Sequence, residues 1–161
     1  MSKLSGGSNA RRKIHSQQKE VNMNNKKQKK PTKLWKCAEC TAILEEVVDC
    51  VKGPICIPHC CGAPMKEVLP KMEDGAKEKH LPVWKKDGCT TKVMVGSVPH
   101  PMTEEHHIEW IEVVSPCGCR VCRKYLKHDA PAEAEFCLEL KPGSIVREYC
   151  NLHGLWVAEV Q

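Results

Sequence analysis

Two pairs of cysteines, Cys37-x2-Cys40 and the adjacent Cys60-Cys61, lie in a stretch with too few large apolar residues to build a core of its own. Gly53, Pro54, Pro58, Gly62 and Pro64 punctuate it further. A unit this small needs a staple, and four thiolates on one ion supply one. Disulfides are the other use for cysteine, and the chain has twelve. No segment has the apolar centre of a secretory signal, and intracellular thiols are kept reduced, so metal is the expected use. Four soft thiolates in a tetrahedron suit either iron or zinc. Cys50, Cys56 and His59 lie nearby as competing ligands.

The formal net charge of +5 hides two opposite regions. Residues 1–36 hold eleven Lys or Arg against one acid, Glu20; the remainder holds fourteen against nineteen acids. Residues 1–34 are therefore expected to be a disordered basic leader, since they carry too little apolar surface to fold alone. A solvated tail is the favoured reading of it, with nucleic-acid binding or an organelle address as alternatives. The body is acidic and lacks basic residues interleaved with aromatics, which argues against nucleic acid. No segment is long and apolar enough to span a membrane. The expected location is the cytoplasm.

From about residue 80 the pattern turns to short strands: Thr91–Val95, His107–Val114, Glu135–Leu140, Ile145–Tyr149 and Leu155–Val160. Turn residues separate them at Asp87-Gly88, Ser97–Pro101, Lys141-Pro142-Gly143 and Asn151–Gly154. Such spacing predicts a mainly β fold, an antiparallel sandwich or barrel.

A second constellation is spread over that region: His80, His100, His106, Cys150 and His153. All five fall at strand ends or in turns, where a sandwich can aim several loops at one point. His107 competes with His106, but side chains of successive strand residues point to opposite faces, so only one of them should reach the site. Neutral imidazole and thiolate are both metal-ligand types.

Glu78-Lys79-His80, His100-Pro101-Met102-x3-His106 and Cys150-Asn151-x-His153-Gly154 together resemble the catalytic domain of superoxide reductases of the neelaredoxin and desulfoferrodoxin type. Cys37-x2-Cys40 with Cys60-Cys61 resembles the desulforedoxin-like domain that precedes it in the two-iron members. The resemblance covers residues 35–161 and implies a rubredoxin- or desulforedoxin-like metal domain at 35–70 and an immunoglobulin-like β-sandwich at 71–161, with the leader at 1–34 outside it. It implies His80, His100, His106 and His153 as equatorial iron ligands and Cys150 as the axial thiolate. Lys79 would stand at the mouth of the site, and Glu78 would close over oxidised iron. Iron is favoured over zinc at the four-thiolate site. The implied activity is one-electron reduction of superoxide to hydrogen peroxide for detoxification, by a homodimer fed from a rubredoxin-like electron donor. Two other functions compete with it. One is a non-catalytic iron electron carrier; the other is a nucleic-acid-binding zinc-knuckle protein.

Some features depart from the family pattern. Residues 41–59 are a longer spacer than it has. Cys117-x-Cys119-x2-Cys122, with Cys137 downstream, falls outside its motifs. Reduced thiols in a loop are the expectation there, with a third metal or a regulatory disulfide as alternatives.

Overall fold

The computed structural model describes residues 31–47, 56–72 and 77–161. The expectations for residues 1–30 and for Cys50 lie outside the described residues. All strand pairs among the described residues are antiparallel.

Two sheets face each other across the main core. One holds β6 (Pro82–Asp87), β7 (Thr90–Val95) and β10 (Glu133–Phe136), with β7 in the middle. The other runs in the order β12 (Gly154–Glu159), β11 (Ile145–Cys150), β8 (Ile108–Val114) and β9 (Val121–Tyr125). Val93 and Val95 of β7, Ile111 and Val113 of β8, Phe136 of β10 and Val146 of β11 are buried between them. This seven-stranded sandwich agrees with the sequence reading. Two of its strands escaped that reading, β6 and β9, and both lie at sheet edges. Edge strands tolerate charge, so Lys85-Lys86-Asp87 and Arg123-Lys124 blur the alternation. The strand expected over Glu135–Leu140 instead runs Glu133–Phe136. The Leu138 N–H donates to the Phe136 carbonyl, which ends the ladder, yet Leu138 and Leu140 still pack on the core that holds Phe136.

The β11 strand shows how the sandwich serves two sites at once. Val146, Glu148 and Cys150 share one face by alternation, and Arg147 and Tyr149 share the other. Tyr149 joins Trp110, Leu155 and Leu34 in a separate buried cluster. Leu34 belongs to β1 (Lys33–Lys36), which pairs with β2 (Ile43–Glu46) and β5 (Lys66–Glu67). So the cysteine-rich segment packs on the outer face of the larger sheet. Its first strand begins inside the stretch assigned to the leader.

Arg147 reinforces this contact. It is buried, is held by the Glu112 carboxylate, and donates to the Thr32 carbonyl at 2.8 Å and to Glu45 at 3.2 Å. Arg123 joins Glu45 to Glu112 from the β9 side, at 3.0 Å and 2.5 Å.

Candidate metal centres

At one end of the sandwich, the ligand atoms of His80, His100, His106, Cys150 and His153 all lie within 4.8 Å of one another. The four rings form a square. Neighbouring centroids are 4.6 Å (His80–His100), 4.6 Å (His100–His106), 4.8 Å (His106–His153) and 4.7 Å (His153–His80) apart, while the His80–His106 diagonal is 6.3 Å. His106 Nε2 and His153 Nδ1 are 3.1 Å apart. Two nitrogens at right angles about one ion, each roughly 2.1 Å from it, would be about 3 Å apart. Cys150 is fully buried, with its Sγ 3.5 Å from His153 Nδ1.

Each ligand is aimed by its own local structure. His80 ends α1 (Lys77–His80), a single helical turn. That turn is tied down by the loop after β7: Val98 N–H and Ser97 Oγ donate to the Glu78 carbonyl, and Gly96 N–H donates to the Leu81 carbonyl. Gly96 has φ of +79°, and a Cβ there would lie 2.6 Å from the Lys79 carbonyl oxygen, so only glycine permits the approach. Residues 78–80 lie in this helical turn. Successive side chains leave it about 100° apart instead of alternating. Glu78 and Lys79 are both exposed, and neither belongs to the five-residue group.

His100 is fixed by its Nδ1–H donating to the Pro101 carbonyl at 2.5 Å, which leaves Nε2 buried and without a protein partner. Burial holds this imidazole down at about 4, and it lowers His106 as well. Both are therefore neutral near pH 7, the form that binds metal. His107 points elsewhere, its Nδ1 against the Thr103 and Glu104 carbonyls. His106 is the one of the pair in the five-residue group, and because β8 begins only at Ile108, a loop and not strand alternation separates the two histidines.

Three residues that sequence reasoning passed over complete this site. Asn151 ties the two ligand loops together: Oδ1 accepts from His107 N–H at 3.0 Å, Nδ2 donates to the Glu105 carbonyl at 2.9 Å, and the Asn151 N–H donates to the His107 carbonyl. Trp156 stacks on His80 with centroids 4.8 Å apart. Glu148 is fully buried, its Oε1 3.4 Å from His80 Nδ1, and burial pushes its carboxyl well above the usual range. A cation held by His80 would favour the carboxylate, which would then accept from the Nδ1–H. Strand parity was the available signal, since Glu148 shares a face with Cys150.

The second group is Cys37, Cys40, Cys60 and Cys61, again with ligand atoms within 4.8 Å of one another. Cys60 Sγ is 3.7 Å from Cys40 Sγ and 3.8 Å from Cys61 Sγ. A tetrahedron with roughly 2.3 Å metal–sulfur bonds has edges near 3.8 Å, so the spacing fits one ion. The adjacent pair bends through a tight hairpin. Cys60 ends β3 (His59–Cys60), Ala63 begins β4 (Ala63–Pro64), and the two residues between, Cys61 and Gly62, have φ of 53° and 79°. Amide N–H groups of Glu39 and Cys40 lower the Cys37 thiol to about 7, while its hydrogen bond to Cys37 pushes Cys60 up to about 12. One negative charge settles easily there, and a second needs a cation. Cys56 and His59 are not part of the group.

Residues 72–159 match the desulfoferrodoxin family model. The desulfoferrodoxin of Nitratidesulfovibrio vulgaris is 48% identical over 126 residues, covering 78% of this chain and 94% of that protein. This chain belongs to the desulfoferrodoxin family. The superoxide reductase of Pyrococcus abyssi is 38% identical over 107 residues, covering 56% of this chain and 93% of its own. Among solved structures, the superoxide reductase of Treponema pallidum superposes with a TM-score of 0.59 at 30% identity, covering 80% of this chain and 97% of that one. Iron is the metal of desulfoferrodoxins, and this chain offers it a nitrogen-rich and an all-sulfur donor set.

Proposed function

We propose that this desulfoferrodoxin reduces superoxide by one electron to hydrogen peroxide, as a superoxide-detoxifying oxidoreductase. The observation that carries the reading is the square of four imidazoles with a buried thiol at 3.5 Å from one of its corners. In this reading His80, His100, His106, His153 and Cys150 would together hold iron. Among the described residues, no further donor joins that group. Iron bound there would supply the single electron.

The chain does the rest. Asn151 ties the Glu105–His107 loop to the Cys150–His153 turn, and the Pro101 carbonyl fixes the His100 ring, so these donors are positioned in advance. Cys150 is raised by burial as a free thiol. A bound cation would favour its thiolate, which would supply electron density to the metal. Lys79 attracts superoxide. Two protons from solvent complete hydrogen peroxide. We take residues 35–70 as the desulforedoxin-like unit and residues 71–161 as the catalytic one, with a rubredoxin-like donor and a homodimeric working unit.

Anaerobically purified protein, analysed for metal and mixed with superoxide by pulse radiolysis, tests the reading. Iron at both sites, second-order consumption of superoxide and one hydrogen peroxide per iron oxidised are expected, and azide should change the ferric spectrum. A ferric spectrum indifferent to azide, with no superoxide consumed, would identify a saturated electron carrier instead.

A further inference from the structure

The turn joining β8 to β9 lies at the opposite end of the sandwich from the imidazole square. Ile108, at the start of β8, pairs with Cys150; Val114, at its end, pairs with Val121. Seven residues of strand put roughly 20 Å between those ends. In this turn Cys117 and Cys119 are joined by a disulfide, both residues exposed, where reduced thiols were expected. Neither sulfur belongs to a metal-binding group among the described residues.

The turn is built to hold both sulfurs whether or not they are bonded. Ser115 N–H donates to the Arg120 carbonyl at 3.0 Å, Arg120 N–H to Ser115 Oγ at 3.0 Å, and Gly118 N–H to the Ser115 carbonyl at 2.8 Å. Gly118, at φ of 64°, supplies the left-handed residue that reverses the chain between the cysteines. None of these bonds involves sulfur, so reduction leaves two thiols facing each other at high effective concentration. The sulfurs are also unequal. Cys117 Sγ accepts the Cys119 N–H at 3.4 Å and lies 3.4 Å from Ser115 Oγ, while Cys119 Sγ lies 3.8 Å from that hydroxyl. Cys117 is thus the better-stabilised thiolate.

We propose that Cys117-Gly118-Cys119 is a further redox site, a two-electron dithiol–disulfide couple that exchanges with low-molecular-weight thiols and their disulfides. In reduction, an external thiolate attacks Cys119 Sγ. The S–S bond breaks, and its electron pair leaves on Cys117 Sγ, the better leaving group. A second external thiolate then attacks the external sulfur of the mixed disulfide, releasing Cys119 as a thiolate and one molecule of external disulfide. Both protein thiolates take up protons lost by the two external thiols. Oxidation runs the same steps in reverse.

The test equilibrates the full-length, metal-loaded protein in anaerobic glutathione buffers. Free thiols are then alkylated, and the peptide containing Cys117 and Cys119 is read by mass spectrometry. The expected result is an internal disulfide that passes from about 10% to 90% as the ratio of oxidised to squared reduced glutathione rises about a hundredfold. It should then reverse fully on back-titration. A peptide that stays dithiol throughout, one that collects two glutathiones without an internal bond, or one whose cysteines pair with Cys89, Cys122 or Cys137 would each overturn the proposal. Zinc added to reduced protein should leave both thiols open to alkylation; protection by zinc would make the turn a metal site and also overturn it. A Cys119→Ser variant, altered only in an exposed turn, should lose the two-hydrogen mass change entirely.

Discussion

Lys79 stands exposed beside the imidazole square, and its charge contributes to lowering His100 and His106. The body beyond residue 36 is acidic, so a cation here raises the local concentration of a small anion against that background. Lys79→Ala should slow the bimolecular step with superoxide severalfold and flatten its dependence on salt, as pulse radiolysis at two ionic strengths would show. Glu78→Ala should leave that step nearly intact while changing the ferric spectrum. The Glu78 backbone is pinned by Val98 and Ser97, so its side chain reaches iron only by its own swing or by release of the turn. If Glu78→Ala abolished the salt slope and Lys79→Ala did not, the two roles would be reversed. Asn151 works at a distance from the chemistry. Its side chain ties the Glu105–His107 loop to the Cys150–His153 turn, and Asn151→Ala removes two of three ties. Iron affinity should fall about 10- to 100-fold, measured by chelator competition, with the fold retained. The five-residue group itself was legible because histidine and cysteine are conspicuous at turns. Asn151 was not, because asparagine in a turn ordinarily serves its own backbone.

Among the elements, β1, β2 and β11 decide how the cysteine-rich segment is attached. Burial alone would raise the Glu45 carboxyl, but its hydrogen bonds from Arg123 and Thr32 prevail and lower it. The carboxylate is therefore stabilised by folding. Its contribution is complete above the ordinary value of 4.5 and disappears as pH falls through the lower folded value. Glu45→Gln should cost about 1–3 kcal/mol near neutrality, since it leaves Arg147 short of a charged partner. Denaturation at pH 7 and pH 4 should show the gap between wild type and variant shrinking in acid; an equal gap at both would dissociate the effect from charge. Chain order hides this clasp. Thr32 and Glu45 meet Arg147 across more than a hundred residues, and no local pattern pairs them. By contrast, β7, β8, β11 and β12 were readable within a residue or two of their bounds, because their apolar residues run against a packed core. The charged edge strands β6 and β9 were not.

Across the whole molecule, one sheet carries two metal groups on opposite faces. Cys150 and Glu148 look into the sandwich toward the imidazole square, whereas Tyr149, Trp110 and Leu155 look outward to Leu34 of the cysteine-rich segment. The sequence suggested two modules joined end to end. The packing seats the outer segment on the face of the larger sheet, so their stability is linked even where their chemistry is not. Cys37→Ser with Cys40→Ser removes two of four sulfurs and should release the metal of that group. Trp35 and Met65 pack on Cys37, so β1 and β5 should loosen and the melting temperature should fall by several degrees. None of His80, His100, His106, His153 or Cys150 touches that group, and their loops are braced by Gly96 and Asn151 within the sandwich. Superoxide reduction by prereduced variant should therefore persist at nearly the parental rate, while one iron per chain is lost. Leu34→Ala is the complementary change. It keeps all four sulfurs but empties the cluster between segment and sheet, which should cost about 2–5 kcal/mol and leave both irons in place. If superoxide reduction failed in the double-serine variant with the second iron still bound, the outer segment would have to be shaping the imidazole square through the sheet it packs on, and the separation of the two faces would be wrong.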